Sequence, residues 1–249
     1  DFTINSMAIR LDGDHFGELL DPLNGQADLA EGLIRVLHPH SFIVDPTRIF
    51  RAIRYAARYS FIFHPSTANL INSESMDVIP RLSGERIRHE LDLFFEEENS
   101  AQMILRAGEL GLFEKIHPSL PLFNPDYSDF LEMDSTLDIP TSKTEMGYML
   151  WLMDLLEDQI MSIGQRLYFT SDLTYSVWAV SQLKKSLPFL VGATPSVWTY
   201  ALEKLPLLSI YVVYLVSRED ALLDFLSIWR HVKPHTTGDD LKARGLRPG

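Results

Sequence analysis

The sequence contains no cysteine, which excludes a disulfide scaffold, a thiolate metal site and a cysteine nucleophile. It has no basic excess: 22 Lys and Arg stand against 34 Asp and Glu, a formal net charge of −12. Taken alone this argues against a protein that meets nucleic acid through a broadly basic surface, and it leaves room for a local basic patch on an acidic body. Long hydrophobic runs are missing too. The longest, Leu205 to Val216, is too short to span a bilayer and contains Pro206 and Ser209, so a buried helix and no membrane partner are expected. No signal peptide is visible, and with no cysteine this fits a cytoplasmic protein. Metal-ligand spacing is absent where histidines invite it. His38 and His40 flank Pro39, while His64 and His89 stand far along the chain. Asp12, Asp14 and Glu18 lack the pattern of a calcium loop. No Gly-x-Ser-x-Gly elbow supports a serine nucleophile.

What is present is a chain of 249 residues, 46% hydrophobic and 22% charged, enough to bury a core in one large or a few small domains. Its first forty residues read as α/β. "FTINSMAIRL", "GELL" and "LIRVL" are three short expected strands, and "DPLNGQADLAEG" lies between the last two as a turn with some helical character. From Asp45 onward the periodicity is helical. Asp45 suits an N-cap and Pro46 the first helical position. Ile49, Ile53, Ala56 and Ala57 then form an apolar face. A helix is expected to start in "HPSTANLINSESM". In the next segment Ser83 can cap, Glu85 lies in the first turn, and Ile87, Leu91, Phe94 and Phe95 form the buried face. Ser142 to Glu145 has the form of a capping box. Further helices are expected near Ser171, Pro195, Pro206 and Arg218. Trp151, Trp178, Trp198 and Trp229 fall inside helical segments, where core positions are expected over base-stacking ones.

One stretch, "SFIVDPTRIFRAIRYAARYSF" (Ser41 to Phe61), holds Arg48, Arg51, Arg54 and Arg58 with no acid interleaved. On a helix Arg51, Arg54 and Arg58 share one sector, with Arg48 at its edge. Anions must balance them, either acids from elsewhere in the chain or phosphate, which suits the planar guanidinium fork. Asp45 and Arg48 are three residues apart and can face one spot. A carboxylate only accepts hydrogen bonds and a guanidinium only donates. Adenine and cytosine offer an amine donor beside a ring-nitrogen acceptor, whereas uracil and guanine offer the reverse. Such a pair would accept the first two bases and leave buried groups unpaired with the others.

Five stretches in order carry a resemblance: "DFTINSMAI", "DPLNGQADL", "VDPTRIFRAIRYAARYSF", "SGERIRHEL" and "GDDLKARGLRPG". Together they resemble the class II nucleotidyltransferases, the tRNA CCA-adding enzymes and their bacterial poly(A) polymerase relatives. The resemblance implies a mainly α fold, with a small α/β remnant of the catalytic head at residues 1–40, a helical neck at 41–117, a body at 118–232 and the start of a tail at 233–249. It implies a template-independent enzyme that adds CMP or AMP to an RNA 3′ end, tRNA above all, from CTP and ATP. Asp45 and Arg48 would select the base, Arg51 and Arg54 would make further nucleotide contacts, and Asn5 would lie near the nucleotide. Glu85, Arg86 and Arg88 would support the pocket. The start at "DFTIN" and the end at "RPG" suggest a piece of a longer parent. The family's Asp-x-Asp, which holds Mg2+, would lie upstream, so no catalytic residue is assigned here and the piece alone is expected to be inactive. The alternative is a non-catalytic helical RNA-binding or interaction module. Two departures stand out: Val44 where the family has Glu, and Asn24 where it has Gly. Oligomeric state and the choice among CCA, CC, A and poly(A) addition are not legible.

Overall fold

The computed structural model describes residues 1–132, 137–233 and 242–245. Its core runs as one cluster of buried side chains from Phe2 to Leu226. The fold is mainly helical, as the periodicity implies.

The first segment turns more than its sequence suggests. Thr3–Asn5 is a short 3₁₀ turn, and only Ala8–Ile9 (β1) is extended, pairing antiparallel with Leu19–Leu20 (β2). The turn arises because Phe2 is drawn into the core, edge-on to Tyr55 at 5.7 Å, while the Ser6 hydroxyl donates to the Thr3 carbonyl. Helix α1 (Gly25–Glu31) is entered through Asn24 in the left-handed region, φ +58°. Asparagine is among the few residues that tolerate this conformation, so the Asn24 departure keeps the turn. A Cβ on Gly25 would lie 2.3 Å from the Thr3 carbonyl oxygen, which explains why the following position is glycine.

Strand β3 (Leu33–Ile34) does not join β1 and β2. After α2 (Ser41–Val44) and α3 (Thr47–Tyr59) the chain returns as β4 (Ile62–Phe63), parallel to β3, with Leu33 opposite Ile62. The expected three-stranded remnant is thus two separate pairs, one of which includes a strand from beyond residue 40. Asp28 locks this corner. Its buried carboxylate accepts from the Thr3 hydroxyl at 2.6 Å and from Arg35 Nε at 2.8 Å. The Arg35 hydrogen bonds, opposed by burial and helped by Thr3, hold its pKa below the usual carboxylate value.

The segment expected to start one helix gives two short ones, α4 (Pro65–Ala68) and α5 (Ser73–Met76). Then follow α6 (Gly84–Glu96), α7 (Ser100–Glu109), α8 (Leu112–Ile116), α9 (Lys143–Leu152), α10 (Glu157–Leu167), α11 (Ser171–Leu190), α12 (Pro195–Leu202), α13 (Leu207–Ser217) and α14 (Asp220–Ser227). The Ser83 and Ser142 hydroxyls accept from the backbone N–H groups of Arg86 and Glu145, as capping residues do. Ile87, Leu91, Phe94 and Phe95 are all buried. Among the tryptophans Trp151 and Trp198 are core, while Trp178 and Trp229 are half-buried. Most of the motif at 238–249 and most of the expected tail lie outside the described residues.

Helix α6 is the spine on which the two halves meet. Its first residue, Gly84, abuts the end of α10 so closely that a Cβ would lie 1.8 Å from the Arg166 carbonyl oxygen. Arg166 in turn donates to the carbonyls of Leu82 and Ile116. Because backbone must yield, Gly84→Ala is expected to destabilise the chain by about 1–3 kcal/mol or more; an unchanged urea-unfolding midpoint would show that the junction is looser than described.

Candidate functional site

Helix α3 presents its arginines along the face opposite Ile49 and Ile53, both of which are buried. The first of the two ways to balance them is realised: the four pair with three acids of this chain, drawn from three different places. Arg48 Nε donates to Asp1 Oδ1 at 3.2 Å, and Arg51 Nη2 to Asp1 Oδ2. Arg54 is buried, its Nη2 3.8 Å from Glu90 Oε2 on α6. Arg58 is gripped by both carboxylate oxygens of Glu97, which holds its guanidinium charged.

Asp45 sits just before the helix with extended backbone, φ −141°. Its Oδ1 accepts the Thr47 N–H at 3.2 Å and the Thr47 hydroxyl at 2.7 Å, so the capping role is realised across Pro46. The same oxygen accepts from Arg86 Nη2 on α6 at 2.9 Å. Burial pushes this carboxyl up, but the Thr47 hydrogen bonds, Arg86 and Arg48 outweigh it and keep it below the usual carboxylate value. Arg48 is held along one side: Nε by Asp1 and Nη1 by the Ser41 carbonyl at 3.2 Å. Among the described residues Asp45 Oδ2 and Arg48 Nη2 have no hydrogen-bond partner, and neither is a buried orphan. One acceptor and one donor are therefore left open at the start of α3, on groups whose other atoms are fixed.

The residues singled out from the sequence divide accordingly. Asp45, Arg48, Arg51 and Arg86 come together. Asn5 is exposed at the end of the 3₁₀ turn beside Phe2. Glu85 is exposed and makes no ion pair among the described residues. Arg88 points to the other flank of α6, donating to the Tyr168 carbonyl at 2.6 Å and lying 5.8 Å over the Phe169 ring. Val44, at the position of the family's Glu, is 68% exposed. Asp1 and Glu90 were not singled out, although Asp1 belongs to the "DFTIN" stretch and Glu90 to "ERIRHEL". No group of three or more acidic or histidine side chains fit to hold a metal ion occurs among the described residues. They therefore do not fit Mg2+, which has no assigned place on them.

With this geometry in hand, the comparisons with known proteins agree on one family. Residues 60–123 match the family model described as the probable RNA and SrmB-binding site of polymerase A. The A-adding tRNA nucleotidyltransferase of Geobacter sulfurreducens is 46% identical over 123 residues, 49% of this chain and 14% of that protein. That of Aquifex aeolicus is 27% identical over 263 residues, 99% of this chain and 32% of that protein. The Thermotoga maritima CCA-adding enzyme complexed with tRNA shares 25% identity and a TM-score of 0.81, covering 100% of this chain and 64% of that one. The mainly helical fold is that of the matching part of the CCA-adding enzyme. These likenesses support kinship with the tRNA nucleotidyltransferases and their poly(A) polymerase relatives. It spans 14% and 32% of the length of these two curated relatives.

Glu90 gives a test of the stripe. Burial raises its carboxyl above the ordinary carboxylate value, Arg54, Arg51 and His89 oppose that, and Asp45 adds to it. The folded state thus holds this proton more tightly than the unfolded chain. The contribution to stability is full below the unfolded pKa and is lost as pH rises through the raised folded value. The stability of Glu90→Gln relative to wild type is expected to improve as pH rises from about 4 to about 7. A difference constant across urea-unfolding curves in that range would place the proton elsewhere.

Proposed function

We propose that this chain is the base-selecting and RNA-binding region of a template-independent RNA nucleotidyltransferase that adds CMP, AMP or both to the 3′ end of tRNA. The observation that carries the reading is the open pair at the start of α3, Asp45 Oδ2 and Arg48 Nη2, with every other polar atom of the two side chains held. An open acceptor and an open donor on residues three apart would complement adenine and cytosine and oppose uracil and guanine. Their rigidity suits discrimination, because a wrong base then leaves polar groups unpaired instead of inducing a new arrangement. The relatives' names, A-adding, CC-adding and multifunctional CCA proteins, support the transferase over a non-catalytic interaction module.

In this reading the RNA 3′ hydroxyl attacks the α-phosphorus of ATP or CTP and pyrophosphate leaves. Arg51 lies one turn beyond Arg48, where it can approach phosphate once Asp1 shares it. Arg54, buried against Glu90, acts through its field and fixes the helix. Arg86 aims Asp45, while Glu85 and Arg88 support α6 from its exposed and opposite sides. Asn5 is proposed near the nucleotide. The division into head end (1–40), neck (41–117), body (118–232) and tail (233–249), the dependence on Mg2+ held outside this chain, and a cytoplasmic setting belong to the same proposal.

In the full-length protein, with tRNA lacking its terminal nucleotides and each triphosphate offered alone, Asp45→Ala and Arg48→Ala are expected to cut the preference for CTP and ATP over UTP and GTP by at least about tenfold. Preference unchanged in both variants would remove the template role. Weaker RNA binding with preference intact would favour the binding-module reading.

A further inference from the structure

A second feature lies across α6 from Asp45. The turn between α10 and α11 forms an open depression of about 650 Å³ lined by Tyr168, Phe169, Tyr175 and Trp178 together with Gln165 and Ser171. Tyr175 and Trp178 stack at 5.6 Å and 23°. Tyr168 is 60% exposed and its hydroxyl has no partner among the described residues. No lining residue is charged, which is notable in a chain of net charge −12. Arg88 lies over the Phe169 ring, 5.8 Å from its centroid. The side chains of Gln165 and Ser171 make no hydrogen bonds among the described residues, so donors and acceptors stand uncommitted beside aromatic faces.

Tyr168 is also in an unusual conformation. It closes α10 at φ +54°, where glycine is the common residue and a bulky side chain is an outlier. Its carbonyl is pinned by Arg88 and its ring leans on Gly84. A glycine here would keep every backbone hydrogen bond. What the tyrosine adds is an exposed ring over the cavity, and backbone strain of this kind persists where it serves a site.

We propose that this cavity receives an unpaired nucleobase from the 3′ end of the RNA substrate, stacked on Tyr168 and Tyr175 with its edge toward Gln165 and Ser171. Aromatic faces bind bases of any sequence, and a pocket free of carboxylates is a part of this acidic surface that a phosphate backbone can approach. The cavity and the Asp45 pair flank the first turns of α6, one reached by Arg88 and the other by Arg86. A strand crossing that end of α6 would place one base in each. The inference rests on the function proposed above and adds a subsite to it.

The test uses the full-length protein and a labelled single-stranded oligonucleotide ending in CCA, followed by fluorescence anisotropy. Tyr168→Gly is expected to bind roughly tenfold or more weakly, with a melting temperature equal to or above wild type, because glycine suits the left-handed turn. Tyr168→Phe should bind nearly as wild type. A blunt RNA duplex should bind equally to wild type and Tyr168→Gly, and ATP or CTP alone should not displace the oligonucleotide from Tyr168. Unchanged affinity in both Tyr168→Gly and Tyr175→Ala overturns the subsite, as does an equal loss for the blunt duplex. Displacement by free nucleotide alone assigns the cavity to the triphosphate and overturns the RNA assignment. Base choice is read separately. If Asp45→Ala alters it while the tyrosine variants bind RNA normally, the subsite fails and the function stands; the converse leaves the subsite and removes the template.

Discussion

Four guanidiniums on one helix cannot share a face unless carboxylates come to meet them, and here they come from places the helix itself cannot supply. Asp1 arrives from ahead of the first turn, Glu90 from α6 and Glu97 from just beyond α6. Arg86 reaches back the other way, to Asp45. Charge balance on α3 therefore demands that the chain start, α3 and α6 be assembled together. The buried Arg54–Glu90 pair is the clearest case. Neither Arg54 Nε nor Glu90 Oε2 finds a hydrogen bond, so the pair is held by Coulomb attraction across 3.8 Å. Such a pair adds little net stability against its desolvation, yet removing one partner strands the other. It specifies where α3 lies on α6 more than it strengthens the contact.

The same constraint makes the start of α3 suited to selection. Asp45 Oδ1 is saturated by three donors, and Arg48 is fixed through Nε and Nη1. A long, rotamer-rich arginine normally loses conformational entropy when it meets a ligand. Here folding has already imposed most of that loss, and the bond to Asp1 comes from a segment that enters ahead of the strands. Under the proposed reading, an open carboxylate oxygen and an open guanidinium nitrogen held this way would discriminate by geometry. Val44 fits this account. With its side chain exposed, it fills no cavity and orients nothing, and Asp1 with the Ser41 carbonyl does the orienting.

Much of this was legible locally. The apolar spacing of Ile49 and Ile53, of Ile87 and Leu91, and the caps at Asp45, Ser83 and Ser142 are short-range signals, and they landed because helices are specified within a few residues. What escaped was long-range. Asp1 and Arg48 are 47 residues apart and Asp45 and Arg86 are 41 apart, so no periodicity connects them. The strands have two residues each, too few for alternation to appear, and the parallel β3–β4 pairing depends on a crossover through α2 and α3. Asn24 looked like a departure from a glycine pattern until its φ showed a conformation both residues accept. Trp178 is half-buried where a core position is expected, because helical position alone does not say which helix face is covered.

Gly84 and Tyr168 carry the last step of the argument, because they touch each other and invert each other's preferences. At Gly84, where an ordinary helix start would accept almost any residue, the Arg166 carbonyl leaves room for none but glycine. At Tyr168, where the backbone favours glycine, the chain carries a large ring instead. Packing explains the first inversion completely. It explains the second only in part, since most of the ring faces solvent and its hydroxyl is unengaged. A residue that costs backbone energy and covers little core is the observation on which the proposed subsite rests. Gly84 lets the two halves close to contact, and that closeness brings the exposed ring to the flank of the helix that also orients Asp45.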